Sequence, residues 1–391
     1  MKPNWKTIKL SDVIQTNIST YSSNDEWEFV NYLDTGNIVT NVIASIQRIE
    51  LAQGEKLPSR ARRKVEIGDI IYSTVRPNQL HYGFVDNAPN NFLVSTGFAV
   101  LHPKKDQIDG KFLYYLLIQD EITEKLQAIA EQSTSAYPAI KPSDIEDLDF
   151  TIPDINEQKK ISSILSAIDK KIELNTQINH NLEEQAKAIF KSWFVDFEPF
   201  QDGEFVDSEL GKIPSDWKVY KLADFLPVIT GKKNANVSSE KGEYPFFSCS
   251  QDFAWTDNYS FDGHAILVAG NGDFNVKWYN GKFEAYQRTY VLMPYNARYT
   301  SWLYYAVKYN LTNITSAARG SVIKFITKGN LENFAFAAPV DLENFDIIDT
   351  FCSINQTIDC FTQENYRLSR VRDTLLPKLM SGEIDVSEVE V

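Results

Sequence analysis

Arginine, asparagine and glutamine side chains gather in two neighbouring stretches of the first third of the chain. The densest basic run lies at residues 56–64, and a second polar group at residues 76–79 follows an apolar run. Arginine can form two hydrogen bonds with guanine, and asparagine or glutamine two with adenine, whereas arginine and lysine can also merely hold phosphate. A solvated basic turn is the alternative interpretation. The candidate nucleic-acid contacts are Arg60, Arg62, Arg63, Lys64, Arg76, Asn78 and Gln79.

A second group of polar residues lies between positions 270 and 324. Residues 270–278 are rich in glycine and asparagine, a composition typical of a hairpin turn. Glycine would let the backbone approach a nucleic-acid groove, but the same residues could equally form only a tight turn. The candidates in this group are Asn271, Asn275, Lys277, Gln287, Arg288, Arg319 and Lys324.

No catalytic or cofactor motif accompanies these residues. The lysines that follow a glycine do not complete a phosphate-binding loop. Asp154, Glu157 and Lys159 resemble a nuclease motif, but they fall within one helical turn, which favours helix capping. The three cysteines form no C-x-x-C pair and the four histidines are scattered, which argues against a disulfide framework or a zinc site. We therefore expect no catalytic site, metal or cofactor in the chain.

The bulk composition indicates an ordinary acidic protein. The net charge of −14 argues against nucleic-acid binding when taken alone. However, only charges within about 8–10 Å of a binding face act strongly on it. We find no uninterrupted apolar run of about 18 residues and no apolar signal segment at the start, so we expect a cytoplasmic protein without a membrane partner.

Strands and short helices are predicted around the polar stretches. Residues 69–75 and 264–268 are rich in β-branched and aromatic side chains, which predicts strands. In each half a short amphipathic helix follows, over about 110–132 and about 301–318, and then a strand that ends at a proline. The two halves therefore share one plan.

An internal repeat accounts for this shared plan. Several blocks recur in the same order: residues 4–12 at 216–224, 98–103 at 289–294, 113–115 at 303–305, and 140–182 at 326–368. The spacing between matched blocks falls along the chain, so the middle of each half differs in length. Chance would explain one such block but not an ordered series. The sequence therefore predicts a duplicated scaffold that carries two different variable regions.

Each half closes with a long amphipathic helix. Apolar residues recur there at alternating spacings of four and three, the heptad period of a coiled coil. The repeat-equivalent Asn179 and Asn365 lie near the helix centres, so antiparallel pairing is expected to bring them together. The alternative is that each helix packs only on its own domain. The residues predicted to mediate helix pairing or partner docking are Ile168, Ile172, Asn179, Leu182, Ile189, Trp193, Phe194, Ile354, Ile358, Asn365, Leu368, Leu375 and Leu379.

Three segments of this scaffold resemble the specificity subunits of type I restriction–modification enzymes. They are residues 156–200, 210–217 and 375–384. The resemblance implies that each variable domain reads one half of a bipartite DNA target and that the paired helices set the gap. It also implies two methyltransferase subunits, which bind S-adenosylmethionine and methylate adenine, and restriction subunits that use ATP.

We therefore predict an α+β fold in which two pseudo-repeated mixed α/β target-recognition domains are joined by two long helices that form an antiparallel coiled coil. The expected segments are a first domain at 1–153, a central helix at 154–200, a second domain at 201–340 and a final helix at 341–391. The predicted function is noncatalytic, sequence-specific binding of double-stranded DNA that positions methyltransferase and restriction/translocase subunits. The alternative is a coiled-coil scaffold or interaction protein without DNA readout.

Overall fold

The protein divides into two compact units. The computed structural model describes residues 5–133, 137–239, 242–316 and 324–389. The first unit comprises Met1–Ile172 and Tyr366–Val391, and the second comprises Glu173–Asn365. Arg319, one of the predicted DNA contacts, lies outside the described residues. In the described ranges, no helix is long and apolar enough to cross a membrane.

The first unit is built mainly of short strands. Its strands are β1 (Lys6–Lys9), β2 (Ile14–Thr16), β3 (Val30–Leu33), β4 (Ile38–Val39), β5 (Val42–Ile43), β6 (Gln47–Ile49), β7 (Ala61–Lys64), β8 (Ile70–Ser73), β9 (Tyr82–Phe84), β10 (Phe92–Ser95), β11 (Phe98–Pro103) and β12 (Asp149–Ile152). Its helices are α1 (Leu10–Val13), α2 (Gly110–Leu117), α3 (Asp120–Glu131) and α4 (Pro142–Glu146), with 3-10 turns at Ser23–Asp25, Thr35–Asn37, Leu51–Gln53 and Pro77–Gln79.

Two four-stranded sheets form the body of the first unit. One has the order β6-β3-β10-β7 and the other the order β2-β11-β8-β9, while β1 pairs with β12 and β4 with β5. Every residue of β8 and β10 is buried, which explains why these strands read as apolar runs rather than as alternating patterns. The predicted strand at 69–75 corresponds to β8, and the predicted helix at 110–132 is divided into α2 and α3.

The second unit has one large sheet. Its strands are β13 (Phe205–Ser208), β14 (Gly211–Pro214), β15 (Trp217–Lys221), β16 (Val228–Thr230), β17 (Tyr244–Phe247), β18 (Ala254–Thr256), β19 (Phe261–Ala269), β20 (Val276–Ala285), β21 (Thr289–Leu292) and β22 (Ala335–Pro339). Its helices are α6 (Thr300–Tyr309), α7 (Leu311–Ser316) and α8 (Lys328–Glu332), with 3-10 turns at Glu198–Phe200, Leu222–Asp224, Ala235–Val237 and Ala297–Tyr299. The large sheet has the order β16-β21-β19-β20-β17-β18, and β13 pairs with β14 and β15 with β22.

Repeat-equivalent contacts in the two units agree with the predicted duplication. In each unit the strand that follows or begins at the repeated tryptophan pairs antiparallel with the strand before the long helix, β1 with β12 and β15 with β22. The Tyr115 hydroxyl donates to Asp169 at 2.6 Å, and the Tyr305 hydroxyl donates to Asn355 at 2.9 Å. Asp169 and Asn355 occupy the same repeat position. In each unit, therefore, a repeat-equivalent tyrosine bonds the domain to a long helix.

The two long helices lie within the predicted segments 154–200 and 341–391 but are shorter than those segments. They are the first long helix, α5 (Ile155–Phe194), and the second, α9 (Ile347–Met380), with 40 and 34 residues. The Asp154 carboxylate accepts the N–H groups of Asn156 and Glu157 at 2.9 and 3.1 Å, so it caps α5 as predicted. At 1.5 Å per residue, α5 is about 60 Å long.

Within each unit the two helices run antiparallel, as predicted. In the first unit Ile161 and Leu165 share a core with Leu376 and Leu379. Farther along α5, Asp169 accepts a hydrogen bond from Arg372 at 3.0 Å. In the second unit the same order continues, because Asn175 donates to Asn365 at 2.8 Å and the ring of Phe190 lies 6.3 Å from that of Phe351. Later residues of α5 thus face earlier residues of α9.

The predicted contact between Asn179 and Asn365 is wrong. Asn179 donates instead to the Ile358 carbonyl and the Thr362 hydroxyl, both at 3.2 Å. Because Asn175 faces Asn365, the repeat-equivalent positions that face each other are 177 and 363. Asn179 and Asn365 each lie two residues beyond that point on helices of opposite direction. They are therefore displaced from each other by about four residues, or about 6 Å along the helix axis.

Apolar seam residues contribute to the cores in different degrees. Phe194 and Ile354 are buried in the core of the second unit, and Leu182, Ile189, Trp193 and Ile358 pack against it while partly buried. Leu379 is buried in the core of the first unit and Leu375 packs against that core. The side chains of Ile168, Ile172 and Leu368 are half-buried.

Candidate nucleic-acid interface

Backbone hydrogen bonds bring the two polar stretches of the first unit to one edge. The Thr96 N–H donates to the Arg60 carbonyl, and the Thr74 N–H donates to the Gly97 carbonyl, both at 2.8 Å. Arg76 follows two residues after Thr74. The turn between β10 and β11 therefore lies between Arg60 and the segment that leads to Arg76. Residues that are separate in the sequence thus become neighbours along one edge.

Arg60 is exposed beside a cleft of about 370 Å³. The cleft is lined by Tyr32, Asp34, Asn37, Gln47, Pro58, Ser59 and Arg60. The Tyr32 hydroxyl donates to Asp34 at 3.1 Å. The lining has donors, such as the Arg60 guanidinium, and acceptors, such as the Asp34 carboxylate. Donors and acceptors together can distinguish more base pairs than either alone, because the pairs differ in their pattern of donors and acceptors.

The basic residues of β7 differ in how they are held. Arg62 is exposed and its Nε donates to the Ser59 carbonyl at 3.3 Å. Arg63 is half-buried, and this burial lowers the pKa of its guanidinium. The Lys64 ammonium donates to Asp25 and lies 5.3 Å from the ring centroid of Trp27. Lys64 is therefore paired inside the unit, and Arg62 is the residue of this strand with an accessible charge.

The second polar stretch forms a tight 3-10 turn at Pro77–Gln79. Arg76 precedes it with a φ of 49°, in the left-handed region that residues with side chains rarely adopt. The Arg76 guanidinium lies 4.8 Å from the ring centroid of Tyr137, and its backbone N–H donates to Pro138 at 2.9 Å. Asn78 and Gln79 are exposed at the turn. Their amides are thus presented to solvent beside a cation.

The polar run of the second unit forms the predicted hairpin, between β19 and β20. Asn275 is buried, and its amide donates to the carbonyls of Cys249 and Asp273, both at 2.9 Å. The Lys277 ammonium donates to the Ser250 carbonyl at 2.6 Å and to Asn275, and burial lowers the pKa of Lys277. Asn275 and Lys277 therefore stabilise this loop internally, while Asn271 is half-buried in a bridge with Phe325.

The exposed polar groups of the second unit surround a cleft of about 460 Å³. Its lining includes Gln287, Arg288, Phe325 and Lys328, all of them exposed. Lys324 is exposed one residue before Phe325, and its carbonyl accepts the Gly272 N–H at 3.2 Å. The second unit thus has a cationic and amide-bearing cleft, as the first unit does.

A comparison with known protein families identifies the family. The family described as type I restriction modification DNA specificity domain matches residues 2–184 and 214–369. The chain belongs to this family. The two matches follow the two halves of the internal repeat, and they agree with the predicted specificity subunit without catalytic residues of its own.

Individual relatives carry the same description. The chain is 40% identical over 195 residues to the HindI specificity subunit of Haemophilus influenzae, across 50% of this chain and 42% of that protein. It therefore spans less than half the length of that relative. It is 27% identical over 384 residues to the MjaIX specificity subunit of Methanocaldococcus jannaschii, across 89% of this chain and 86% of that protein.

A solved structure supports the fold. The type I restriction–modification S subunit from M. genitalium matches with a TM-score of 0.61 at 18% identity, over 97% of this chain and 96% of that one. At this level of identity the match shows a shared architecture and nothing about the DNA sequence that is read.

Two glycines hold the turn that bears Gln287 and Arg288 in this specificity-domain protein. A Cβ atom on Gly231 would lie 2.3 Å from the carbonyl oxygens of Ala285 and Tyr286, and one on Gly270 would lie 2.4 Å from the Arg288 carbonyl oxygen. Real Cβ atoms do not approach backbone oxygens so closely, so the turn fits only against glycine.

We expect Gly231→Ala to lower the free energy of unfolding of the second unit by about 1–3 kcal/mol, the usual cost of overpacking. Urea titration would measure this. Gly272→Ala is not a clean comparison, because the φ of Gly272 is 72°. Gly329→Ala is the better control, because its added Cβ would meet nothing closer than 3.8 Å. Equal stability of the Gly231 variant and the parent would contradict the packing argument.

The structure adds polar residues to the predicted sets. In the first unit Asn37 and Gln47 line the Arg60 cleft. In the second unit Lys328 lines the Arg288 cleft, and the Lys233 carbonyl accepts the Gln287 N–H at 2.9 Å. Nothing in their sequence neighbourhoods marks Asn37 or Gln47, because Asn37 lies in a 3-10 turn and Gln47 in β6, and the two meet only in the folded unit. Lys232 and Lys233 form a basic pair in the sequence, and this pair is a local signal for a candidate DNA contact.

Proposed function

We propose that the chain is a noncatalytic DNA-reading subunit in which the first unit reads one half of a bipartite target and the second unit reads the other. One observation carries the proposal. Two repeat-equivalent units each present exposed arginine and amide side chains beside a cleft, Arg60 with Gln47 and Arg288 with Gln287. Such side chains form the bidentate hydrogen bonds that distinguish guanine and adenine.

The acidic net charge is compatible with this proposal. The charge of −14 belongs to the whole chain, whereas DNA phosphates respond to cations within about a Debye length. Arg60, Arg62 and Arg76 supply such cations near the first cleft. Arg288, Lys324 and Lys328 supply them near the second, although Lys328 also pairs with Glu332 at 3.2 Å. Binding should therefore weaken with added salt.

We further propose that the long helices dock partner subunits. By analogy with the family, the partners are two methyltransferase subunits, which bring S-adenosylmethionine, and restriction/translocase subunits, which bring ATP. This chain then contributes specificity to the complex, because its free energy of binding differs from one DNA sequence to another. The competing function is a coiled-coil scaffold without DNA readout, which the acidic charge favours.

A binding assay separates the two functions. The full chain, assembled with its methyltransferase partner, is titrated against duplexes that carry the intact target or one scrambled half, at two salt concentrations. The proposal predicts that scrambling either half lowers affinity and that affinity falls with salt. Equal affinity for intact and scrambled duplexes would support the scaffold function.

Single arginine variants should affect one half of the target each. We expect Arg60→Ala to weaken discrimination at one half and Arg288→Ala at the other, by about 1–3 kcal/mol if the arginine contacts a base. A matched control is Arg367→Ala, which removes an exposed arginine from the second long helix. Competition binding with single-base variants of each half measures the effect. If both variants weaken all sequences equally, these arginines hold phosphate and do not read bases.

A further inference from the structure

An exposed apolar hairpin lies beside the candidate interface of the first unit. Strands β4 and β5 pair Ile38 with Ile43 and Val39 with Val42. The two turn residues between them, at positions 40 and 41, have φ angles of 46° and 67°. Positive φ at both positions is the requirement of a type I′ turn, so the strands are joined tightly.

One face of this hairpin presents β-branched side chains to solvent. Val39 is 45% exposed and Val42 is 69% exposed, whereas Ile38, on the opposite face, is 2% exposed. Directly opposed residues on paired strands share a face, so the two valines form one methyl-rich surface. Ile43, the partner of Ile38, lies on the other face and is 43% exposed, and Ile46, which follows β5, is 36% exposed. Two adjacent exposed valines on one face differ from the isolated exposed apolar residues that are common on proteins.

The hairpin is anchored between the two polar parts of the interface. At its tip, the N–H groups of Thr40 and Asn41 donate to the carbonyls of Leu80 and Tyr82 at 2.8 and 2.9 Å. Leu80 directly follows Gln79, a candidate base contact. Near its base, the Ser45 hydroxyl donates to the side chain of Asn37 at 3.2 Å, and Asn37 lines the Arg60 cleft. The hairpin is therefore bonded at its tip to the segment that follows Gln79 and near its base to Asn37 of the Arg60 cleft.

We propose that this hairpin reads thymine, through contact of Val39 and Val42 with the C5-methyl groups of one half of the target. The proposal rests on the proposed function. A two-stranded ribbon fits the major groove, where thymine presents a methyl group that no other base carries, and apolar side chains recognise it. DNA is favoured over a protein partner because the hairpin is bonded to Asn37, which lines the Arg60 cleft, and to Leu80, which follows Gln79.

Uracil replaces thymine with the loss of only the C5-methyl group, so it tests this contact directly. The half of the target read by the first unit is taken as the half whose discrimination changes in Arg60→Ala. In the assembled complex with the parent chain, thymine to uracil at a contacted position should lower affinity about fourfold for each methyl group removed from the contact. Val42→Ala should lower affinity for the thymine duplex and show little further loss with uracil.

The control variant is Ile67→Ala, because Ile67 is 65% exposed in the same unit but lies before β8. The polar turn at Pro77–Gln79 follows β8, at the other end of that strand. The Ile67→Ala variant should retain full uracil sensitivity. Val42→Thr, which keeps the shape of the side chain, provides a second variant whose uracil sensitivity should be reduced.

Three results would overturn the proposal. They are no effect of uracil at any thymine of that half, an equal uracil effect in the parent chain and Val42→Ala, or a Val42→Ala defect confined to methyltransferase binding. The last result would make the hairpin a protein-docking surface. If the parent chain does not distinguish target from scrambled DNA at all, the proposed function itself fails, and the two failures are thus separable.

Discussion

Replacing Phe194 with alanine should lower the free energy of unfolding of the second unit by about 3–5 kcal/mol, the range for truncation of a buried phenylalanine. Phe194 is 7% exposed at the end of α5. Its ring centroid lies 5.6 Å from those of Trp217 and Trp302 and 6.2 Å from that of Phe351, the last of which is on α9. One side chain thus joins both helices to the core of the second unit.

Urea titration followed by tryptophan fluorescence is a suitable measurement, because two tryptophans adjoin the deleted ring. The control is Tyr295→Ala, since Tyr295 is an aromatic residue of the same unit that is 76% exposed, and its loss should change stability by less than about 0.5 kcal/mol. Trp193→Ala should have an intermediate effect, because Trp193 is only partly buried. Equal effects of Phe194→Ala and Tyr295→Ala would contradict the assignment of Phe194 to the junction.

Lengthening both long helices should change the spacing of the DNA target. We expect one heptad inserted after position 177 in α5 and one after position 363 in α9 to lengthen the gap between the half-sites by about three base pairs. Seven helical residues add about 10 Å, and a base pair rises about 3.4 Å. The sequences of the two halves should not change, because the clefts are not altered.

These insertion points follow from the register of the pair. The hydrogen bond from Asn175 to Asn365 places 177 opposite 363, so matched insertions keep every other seam contact. An insertion in α5 alone is the control and should destabilise the protein, since it shifts all later residues of that helix against α9. If the doubly extended chain directs methylation with the original gap, the helices do not set the spacing.

The scaffold could be predicted from the sequence much better than the interface. The heptads, the capping carboxylate of Asp154 and the repeated tyrosines at 115 and 305 are local patterns, and the structure bears them out. The register of the helix pair could not be obtained from the repeat alone. The repeat offset shows which residues of the two helices are equivalent, but it does not show which equivalent residues face each other. The predicted Asn179–Asn365 contact failed for that reason.

Which polar side chains remain accessible depends on contacts between distant positions. Lys64 belongs to the densest basic run but is paired with Asp25. Asn275 belongs to the run predicted as a turn, but its amide donates to the Cys249 carbonyl. Conversely, Gln47 stands outside any polar run and lines the cleft of Arg60. In all three cases the deciding contact joins separate segments, and the sequence alone does not show which segments meet.

We propose that two clefts, one in each unit, read two separate halves of one DNA target. Mapping of methylated adenines across the genome of cells that express this chain with its methyltransferase partner tests this proposal most directly. We expect methylation at two short defined sequences separated by a gap of constant length and variable composition. Methylation at a single uninterrupted short sequence would contradict it.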